Sequence, residues 1–382
     1  MHKINKTKIE GFRRLRKVEM EMRPLMVMIG ANGVGKSSFL DAISLLSASA
    51  AGKMNDTLSG MGGIADVLTR GYSGDLVMEA SMDIPNRQPL EYSLHIKPVG
   101  QAYNIAQELL SQSREGFDKP FRHIESRYSD VKYYDIDTGK LSRPTWEHDH
   151  LETSLSQVPK MFREPEELRK VLGSATQYHV LDVSRRSPVK LPQQMKPAYL
   201  PGVDGEDLVP FLYYLRESNR DRYDAIEDTL KSAFPGFESL NFPPVAAGML
   251  SMTWKEKHFR SPLYMHQLSE GTLRFIWLIS LLQSPNLSTI TMIDEPEVSL
   301  HPEMLSLLAD LMREASQRTQ VIVATHSDRL IRFLEPKEVV VMDIGNDGFA
   351  TARWADTLNL DEWLKEYSLD EVWRMGRMGG RS

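Results

Sequence analysis

The chain has 382 residues, 41% hydrophobic and 26% charged, which excludes a mostly disordered or collagen-like polymer and allows two or three modules, or one large head with an insertion. Its 46 basic and 52 acidic side chains give a net charge of −6, opposite in sign to a protein coated for nucleic acid, so any nucleic-acid contact is local. The absence of cysteine excludes disulfides, thiolate catalysis and cysteine-ligated metals, and fits a reducing, cytoplasmic setting.

Residues 2–22 mix Lys and Arg with β-formers around Gly11, which predicts an antiparallel hairpin leading into the apolar strand Leu25 to Ile29. Gly30 ends that strand, and from Ser37 the residues Phe39, Leu40, Ile43 and Leu46 fall on helical spacing. Leu76 to Ile84 and Leu90 to Ile96 alternate around a Pro-containing turn and predict a second hairpin. Residues 100–205 carry weak strand signals at 131–136 and at Tyr178 to Val183, then four prolines (Pro188, Pro192, Pro197, Pro201) that predict an extended connection. No heptad pattern is present, which argues against a long coiled-coil arm.

Asp207 is placed to cap a helix carrying Leu208, Phe211, Leu212 and Leu215, broken near Ser218 to Asp221. Leu273 to Leu282 then predicts a buried helix, Thr289 to Ile293 a strand, Glu303 to Ala315 an amphipathic helix and Val321 to Thr325 another strand. A helix from Asp328, a strand at Val339 to Ile344, and a turn into Phe349 to Trp354 follow. This alternation implies a mostly parallel sheet flanked by helices. The longest apolar run, Phe275 to Leu282, is far below the roughly 20 residues of a spanning helix, and the polar N-terminus does not read as a signal peptide. A cytoplasmic protein with no membrane partner is the expectation.

Gly30-Ala31-Asn32-Gly33-Val34-Gly35-Lys36-Ser37 fits G-x4-G-K-[ST], with a strand before it and a helix after it. Glycines let backbone N–H groups curl around phosphate oxygens, and the helix N-terminus adds positive potential. Lys36 reaches the β/γ-phosphates, Ser38 extends the loop's contacts, and the Ser37 hydroxyl is placed to ligate Mg2+. Ile293-Asp294-Glu295 sets two carboxylates at the carboxyl end of an apolar strand, the edge where open α/β sheets bind ligands. Asp294 is the candidate Mg2+ residue and Glu295 the group that polarises the attacking water. Ser269 and Gly271 open the buried helix and form either a second anion site or a simple N-cap. His326, after the strand Val321 to Thr325, emerges at the same edge and can hydrogen-bond a γ-phosphate.

The ordered set Gly30-x4-Gly35-Lys36-Ser37, Leu268-Ser269-Glu270-Gly271, Ile293-Asp294-Glu295-Pro296, Ser299-Leu300-His301-Pro302 and Ala324-Thr325-His326-Ser327 resembles the ABC-type head ATPases of the SMC, RecF and OLD group. Ile9-Glu10-Gly11-Phe12-Arg13 is similar to that group's first hairpin. The resemblance implies an α/β P-loop fold with an antiparallel β-subdomain and an inserted α/β region. It implies ATP and Mg2+ as cofactors, and a homodimer that sandwiches two nucleotides, with higher oligomers open. It further implies that Ser269 and Gly271 serve the partner's nucleotide, that Ser299 and His301 form the D-loop, and that Glu295, His326 and Lys36 are catalytic. Glu270 departs from the glycine of many ABC signatures and has to point away from a phosphate. The Q-loop glutamine has no obvious match; the segment Gly62 to Gly71 occupies its approximate region, with Arg70 as an alternative. The implied organisation is an N-terminal ATPase lobe at 1–100 with the Walker A loop, an inserted region at 101–205, and a C-terminal lobe at 206–382 with signature, Walker B and switch histidine.

Only 56 residues follow His326, too few for the Toprim nuclease domain of OLD proteins, so the resemblance implies a separately encoded effector, such as a Toprim-like nuclease. The tail residues Trp363, Trp373, Arg374, Arg377 and Arg381 either dock a partner or pack on the head. Residues 1–23 hold eight basic side chains against three acidic ones, either a DNA-guiding patch or a solvated face; Arg185, Arg186 and Lys190 form a smaller patch of the same kind. Two functions remain open: a DNA-responsive ATPase in repair or anti-phage defence, and a slow nucleotide-gated scaffold holding an effector without touching DNA. A transporter ATPase is a third reading, disfavoured by the large insertion.

Overall fold

In the computed structural model, residues 3–71, 74–135 and 138–379 are described; position 136 of the expected strand and the tail residues Gly380 and Arg381 lie outside them. The chain opens with β1 (Lys3–Phe12), β2 (Leu15–Glu21) and β3 (Leu25–Ile29), then helices α1 (Lys36–Ala51), α2 (Met54–Gly60) and α3 (Ile64–Val67). Six strands follow: β4 (Leu76–Asp83), β5 (Leu90–Val99), β6 (Ala102–Gln112), β7 (Phe121–Arg127), β8 (Asp130–Asp135) and β9 (Lys140–Ser142). Next come α4 (Ser154–Gln157), α5 (Arg163–Leu172), β10 (Thr176–Tyr178), β11 (Gln193–Gln194), α6 (Leu208–Ser218) and α7 (Arg220–Ala233). Short strands β12 (Phe237–Asn241), β13 (Pro244–Val245), β14 (Met249–Leu250), β15 (Thr253–Glu256) and β16 (Leu263–Tyr264) lead to α8 (Glu270–Gln283). The last stretch is β17 (Ile290–Asp294), α9 (Met304–Ser316), β18 (Gln320–Thr325), α10 (Asp328–Ile331), β19 (Val339–Ile344), β20 (Ala350–Trp354) and α11 (Leu369–Arg374).

Two large sheets organise these elements. The eight-stranded antiparallel sheet runs β2-β1-β4-β5-β6-β7-β8-β9, and the six-stranded sheet runs β10-β17-β18-β3-β19-β20. In the second, β10 to β19 are parallel and only β20 pairs antiparallel, with β19. Its central strands are apolar along their length because both faces are covered. Alternate side chains go to opposite faces: Val27, Ile29, Val321, Val323, Val339 and Val341 join a core with α6 to α9, whereas Met26, Met28, Ile322, Ala324, Val340 and Met342 join a core with α1 and the antiparallel sheet. β3, read from its run of five apolar residues, lies between β18 and β19.

Several expectations shift. The strand expected over Tyr178 to Val183 is three residues long and ends at Tyr178, and the helix expected from Asp328 to before Pro336 is a single turn ending at Ile331. Asp207 makes no capping hydrogen bond; its carboxylate pairs with Lys196 at 2.6 Å. The helix break near Ser218 is real, and Asn219 caps α7 by accepting from the Arg222 N–H. The Pro-rich connection includes a 3-10 turn at Pro188–Lys190 and the strand β11. Residue 100 falls in the tight β5–β6 turn, so the antiparallel sheet continues through it to β9. The tail packs on the head: Trp373 is buried in the core, Arg374 pairs with Asp328 at 2.7 Å, and the Arg377 guanidinium stacks on Trp363.

Candidate nucleotide site

Parallel register delivers the motif residues to one edge. Ile29 pairs with Thr325, Asp294 with Ala324, and Tyr178 with Ile293, so Gly30, Glu295, His326 and His179 all leave the sheet at its carboxyl end. The loop 30–35 turns tightly because three glycines allow it. A β-carbon on Gly30 would lie 2.4 Å from the Met342 carbonyl oxygen, and Gly35, at φ +114°, is wedged against Ala350 and Leu15. Gly35 is the N-cap of α1, with no side chain occupying the helix's N–H groups. The loop therefore presents backbone N–H groups at a helix N-terminus without a side-chain cap, an arrangement that suits a phosphate.

Lys36 is buried, and its ammonium donates to the carbonyls of Gly30 at 2.7 Å and Ala31 at 3.0 Å. Burial lowers its pKa, opposed by the charges of Glu295, Asp294 and Glu297. The Ser37 hydroxyl hydrogen-bonds the Asp294 carboxylate, and burial, followed by the charge of Glu295, raises the Asp294 pKa. A hydroxyl and a carboxylate held together in the lap of a phosphate cradle are the oxygen donors that suit Mg2+. Asn32, Gly33 and Ser37 are exposed and Ala31 and Ser38 half-buried, whereas Val34 is buried and acts as packing.

Glu295 sits at φ +48°, an uncommon conformation for a non-glycine residue, and its N–H donates to the Ala324 carbonyl at 2.8 Å. Its Oε1 lies 2.9 Å from Nδ1 of His326. Two carboxylates expected from sequence are thus joined by a third. Glu297, 8% exposed, accepts from the Thr325 hydroxyl and lies 4.0 Å from the same imidazole nitrogen. Burial raises its pKa. In sequence, a glutamate after a proline in a turn reads as surface.

The signature residues engage their own helix and the turn after Glu295. Ser269 Oγ accepts from the Thr272 N–H at 3.1 Å and so caps its own helix, while Gly271 packs on the Ser299 backbone. Ser299 is at φ +65°, and its hydroxyl receives the Arg274 guanidinium at 2.5 Å; that guanidinium also donates to the Leu181 carbonyl. His301 is exposed beside Glu303. Arg70 lines a 430 Å3 cavity with Arg13, Arg14, Asp66, Leu68 and Phe349. His179, one residue past the Tyr178–Ile293 pair and near enough to act on the Asp294 carboxyl, lies after a three-residue edge strand that has no periodicity to mark it in sequence.

Solved structures share this architecture. The chain is similar to an SMC head bound to the C-terminal winged-helix domain of ScpA, with 15% identity, 92% of this chain and 97% of that chain covered, and a TM-score of 0.55. It is similar to the SMC head with an extended coiled coil bound to the C-terminal domain of ScpA from Pyrococcus furiosus, at 12% identity, 96% and 100% coverage and a TM-score of 0.55. The SMC head with coiled coil and joint from Pyrococcus yayanosii matches at 12% identity, 95% and 100% coverage and a TM-score of 0.51. These likenesses show the SMC-head fold; the longest helix among the described residues, α1, has 16 residues, so no coiled-coil arm is among them. None of the curated proteins matches the sequence. Residues 25–332, which include the cradle, the signature, Asp294, Glu295 and His326, match the family described as "AAA domain, putative AbiEii toxin, Type IV TA system", and the chain belongs to this family.

Proposed function

We propose that this protein binds ATP with Mg2+ and hydrolyses it as a nucleotide-driven dimer that regulates a separate effector. The convergence of the Gly30–Ser38 cradle, the Ser37–Asp294 pair and the Glu295–His326 pair on one sheet edge carries the reading. In it, loop N–H groups and Lys36 hold the phosphates, and Glu295 accepts the proton of the attacking water. His326 donates to the γ-phosphate. A magnesium ion on Ser37 and Asp294 supplies charge neutralisation for the triphosphate. The cavity beside Arg13 and Arg14 is within the size range of small-ligand sites and adjoins α1 through the Arg13–Asp41 ion pair, which suits the nucleoside end.

Ser269 and Gly271, at the N-terminus of α8, are assigned to a partner's nucleotide, with Ser299 and His301 at the interface. The ScpA named with the SMC heads supports a protein partner docking on such a head, and the family's toxin–antitoxin description supports a conflict or defence role. Steady-state hydrolysis with and without DNA tests this reading. Turnover in Mg2+-ATP is expected, and no affinity for Mg2+-ATP in protein with intact Lys36 defeats it.

One observation favours the second form, a gated scaffold without DNA contact. Five of the eight basic side chains of residues 1–23 are ion-paired: Lys6 with Glu19, Lys8 with Glu79, Arg13 with Asp41, Arg16 with Asp347 and Arg23 with Asp356. DNA stimulation with steep salt dependence would overturn that form and leave the ATPase reading standing.

A further inference from the structure

Glu297 is a buried carboxylate to which the ATPase mechanism above gives no work. It is 8% exposed; one oxygen accepts the Thr325 hydroxyl, and the other, Oε2, has no hydrogen-bond partner. The Thr325 hydroxyl in turn accepts the Ser327 N–H at 2.9 Å, so Glu297 grips the two residues that flank His326. The imidazole Nδ1 lies 2.9 Å from Glu295 Oε1 and 4.0 Å from Glu297 Oε1, the same Glu297 oxygen that accepts the Thr325 hydroxyl.

This arrangement occupies the base. A carboxylate oxygen already bound to an imidazole nitrogen is a poorer proton acceptor for water, and His326 held there is turned to Glu295 rather than to a phosphate. When His326 swings toward a γ-phosphate, a proton on Nδ1 needs another acceptor, and Glu297 Oε1, 4.0 Å away, can accept a second hydrogen bond beside that from Thr325.

We propose that Glu297 is a positioning residue that takes His326 over from Glu295 in the nucleotide-bound state, freeing Glu295 to act on water. The inference rests on the ATPase reading. After the hand-over Glu295 accepts a water proton while the water oxygen bonds to the γ-phosphorus. The bond to the β-phosphate oxygen breaks, giving ADP and inorganic phosphate.

The test compares the full-length wild type with Glu297→Leu, Glu297→Gln and Glu295→Gln for steady-state hydrolysis and for equilibrium binding of a fluorescent ATP analogue with Mg2+. Glu297→Leu is expected to lower kcat about 10-fold or more with nucleotide affinity unchanged, and Glu297→Gln, whose carbonyl still accepts, to stay within about threefold of wild type. Equal kcat for Glu297→Leu and wild type, or equal loss in Leu and Gln variants, overturns the proposal. A crystal structure of the wild type with a non-hydrolysable ATP analogue gives a check independent of variant folding: Nδ1 hydrogen-bonded to Glu297 supports the hand-over, and Nδ1 still on Glu295 overturns it. A wild type with no hydrolysis, or an unslowed Glu295→Gln, removes the ATPase reading itself and this inference with it, a pattern distinct from failure of Glu297 alone.

Discussion

Gly271 meets Ser299 backbone to backbone: a β-carbon on Gly271 would lie 2.3 Å from the Ser299 carbonyl oxygen. The start of α8 and the turn after Glu295 are thereby fitted to each other, and Arg274 ties the same turn through the Ser299 hydroxyl. Gly271→Ala is expected to cost about 1–3 kcal/mol, because the obstructing atom is main chain and cannot rotate away. Thermal melting reads that loss. Nucleotide binding to the isolated subunit is expected to persist, with ATP-dependent pairing reduced in light scattering.

Glu295→Gln keeps the side chain's shape and its oxygen near His326 but removes the proton acceptor. Hydrolysis is expected to slow about 100-fold or more while ATP stays bound. Size-exclusion chromatography of this variant with Mg2+-ATP is expected to show a stable dimer, and a persistent monomer would remove the main support for the sandwich.

Lys36→Met removes the ammonium that now bridges Gly30 and Ala31 and is the loop's cation for phosphate. A loss of ATP affinity of about 100-fold, roughly 2.7 kcal/mol, is expected in titration calorimetry. Methionine is an unbranched chain of similar length and carries no charge to desolvate at this buried position, so the fold is expected to survive.

His123, 6% exposed and edge-on to Phe121, has its pKa pushed down to about 4 by burial, with an unpartnered Nε2. The unfolded chain binds a proton near pH 6.5, before the folded one does, so stability is highest above that pH and falls as the solution is acidified toward 4. Denaturant melts of wild type and His123→Phe between these values are expected to diverge by up to about 3 kcal/mol, the variant falling less steeply. Parallel slopes would show that His123 does not titrate on unfolding.

Legibility followed locality. The cradle, Asp294 and Glu295, and His326 could be found because each is a short run at the end of a strand whose apolar residues are contiguous. β6 and β7 escaped because bulges at His95/Ile96 and Leu110/Ser111 break the alternation that marks a strand. Helix α5 was hidden by Pro165, which is tolerated in its first turn. His179 and Glu297 could be placed only by pairing across strands far apart in sequence, Tyr178 with Ile293 and Asp294 with Ala324.

The position of β3 has a consequence for synthesis. Its neighbours are β18 and β19, so Leu25 pairs with Val321 and Val27 with Val339, partners made almost 300 residues later. A nascent chain can complete its antiparallel hairpins early, but the strand carrying the cradle waits with both edges bare until nearly the whole polypeptide has left the ribosome. Such delayed, non-local closure is slow and leaves apolar backbone open to wrong pairing in the meantime. The strand order thus sets the cradle strand among the last parts of the sheet to be completed.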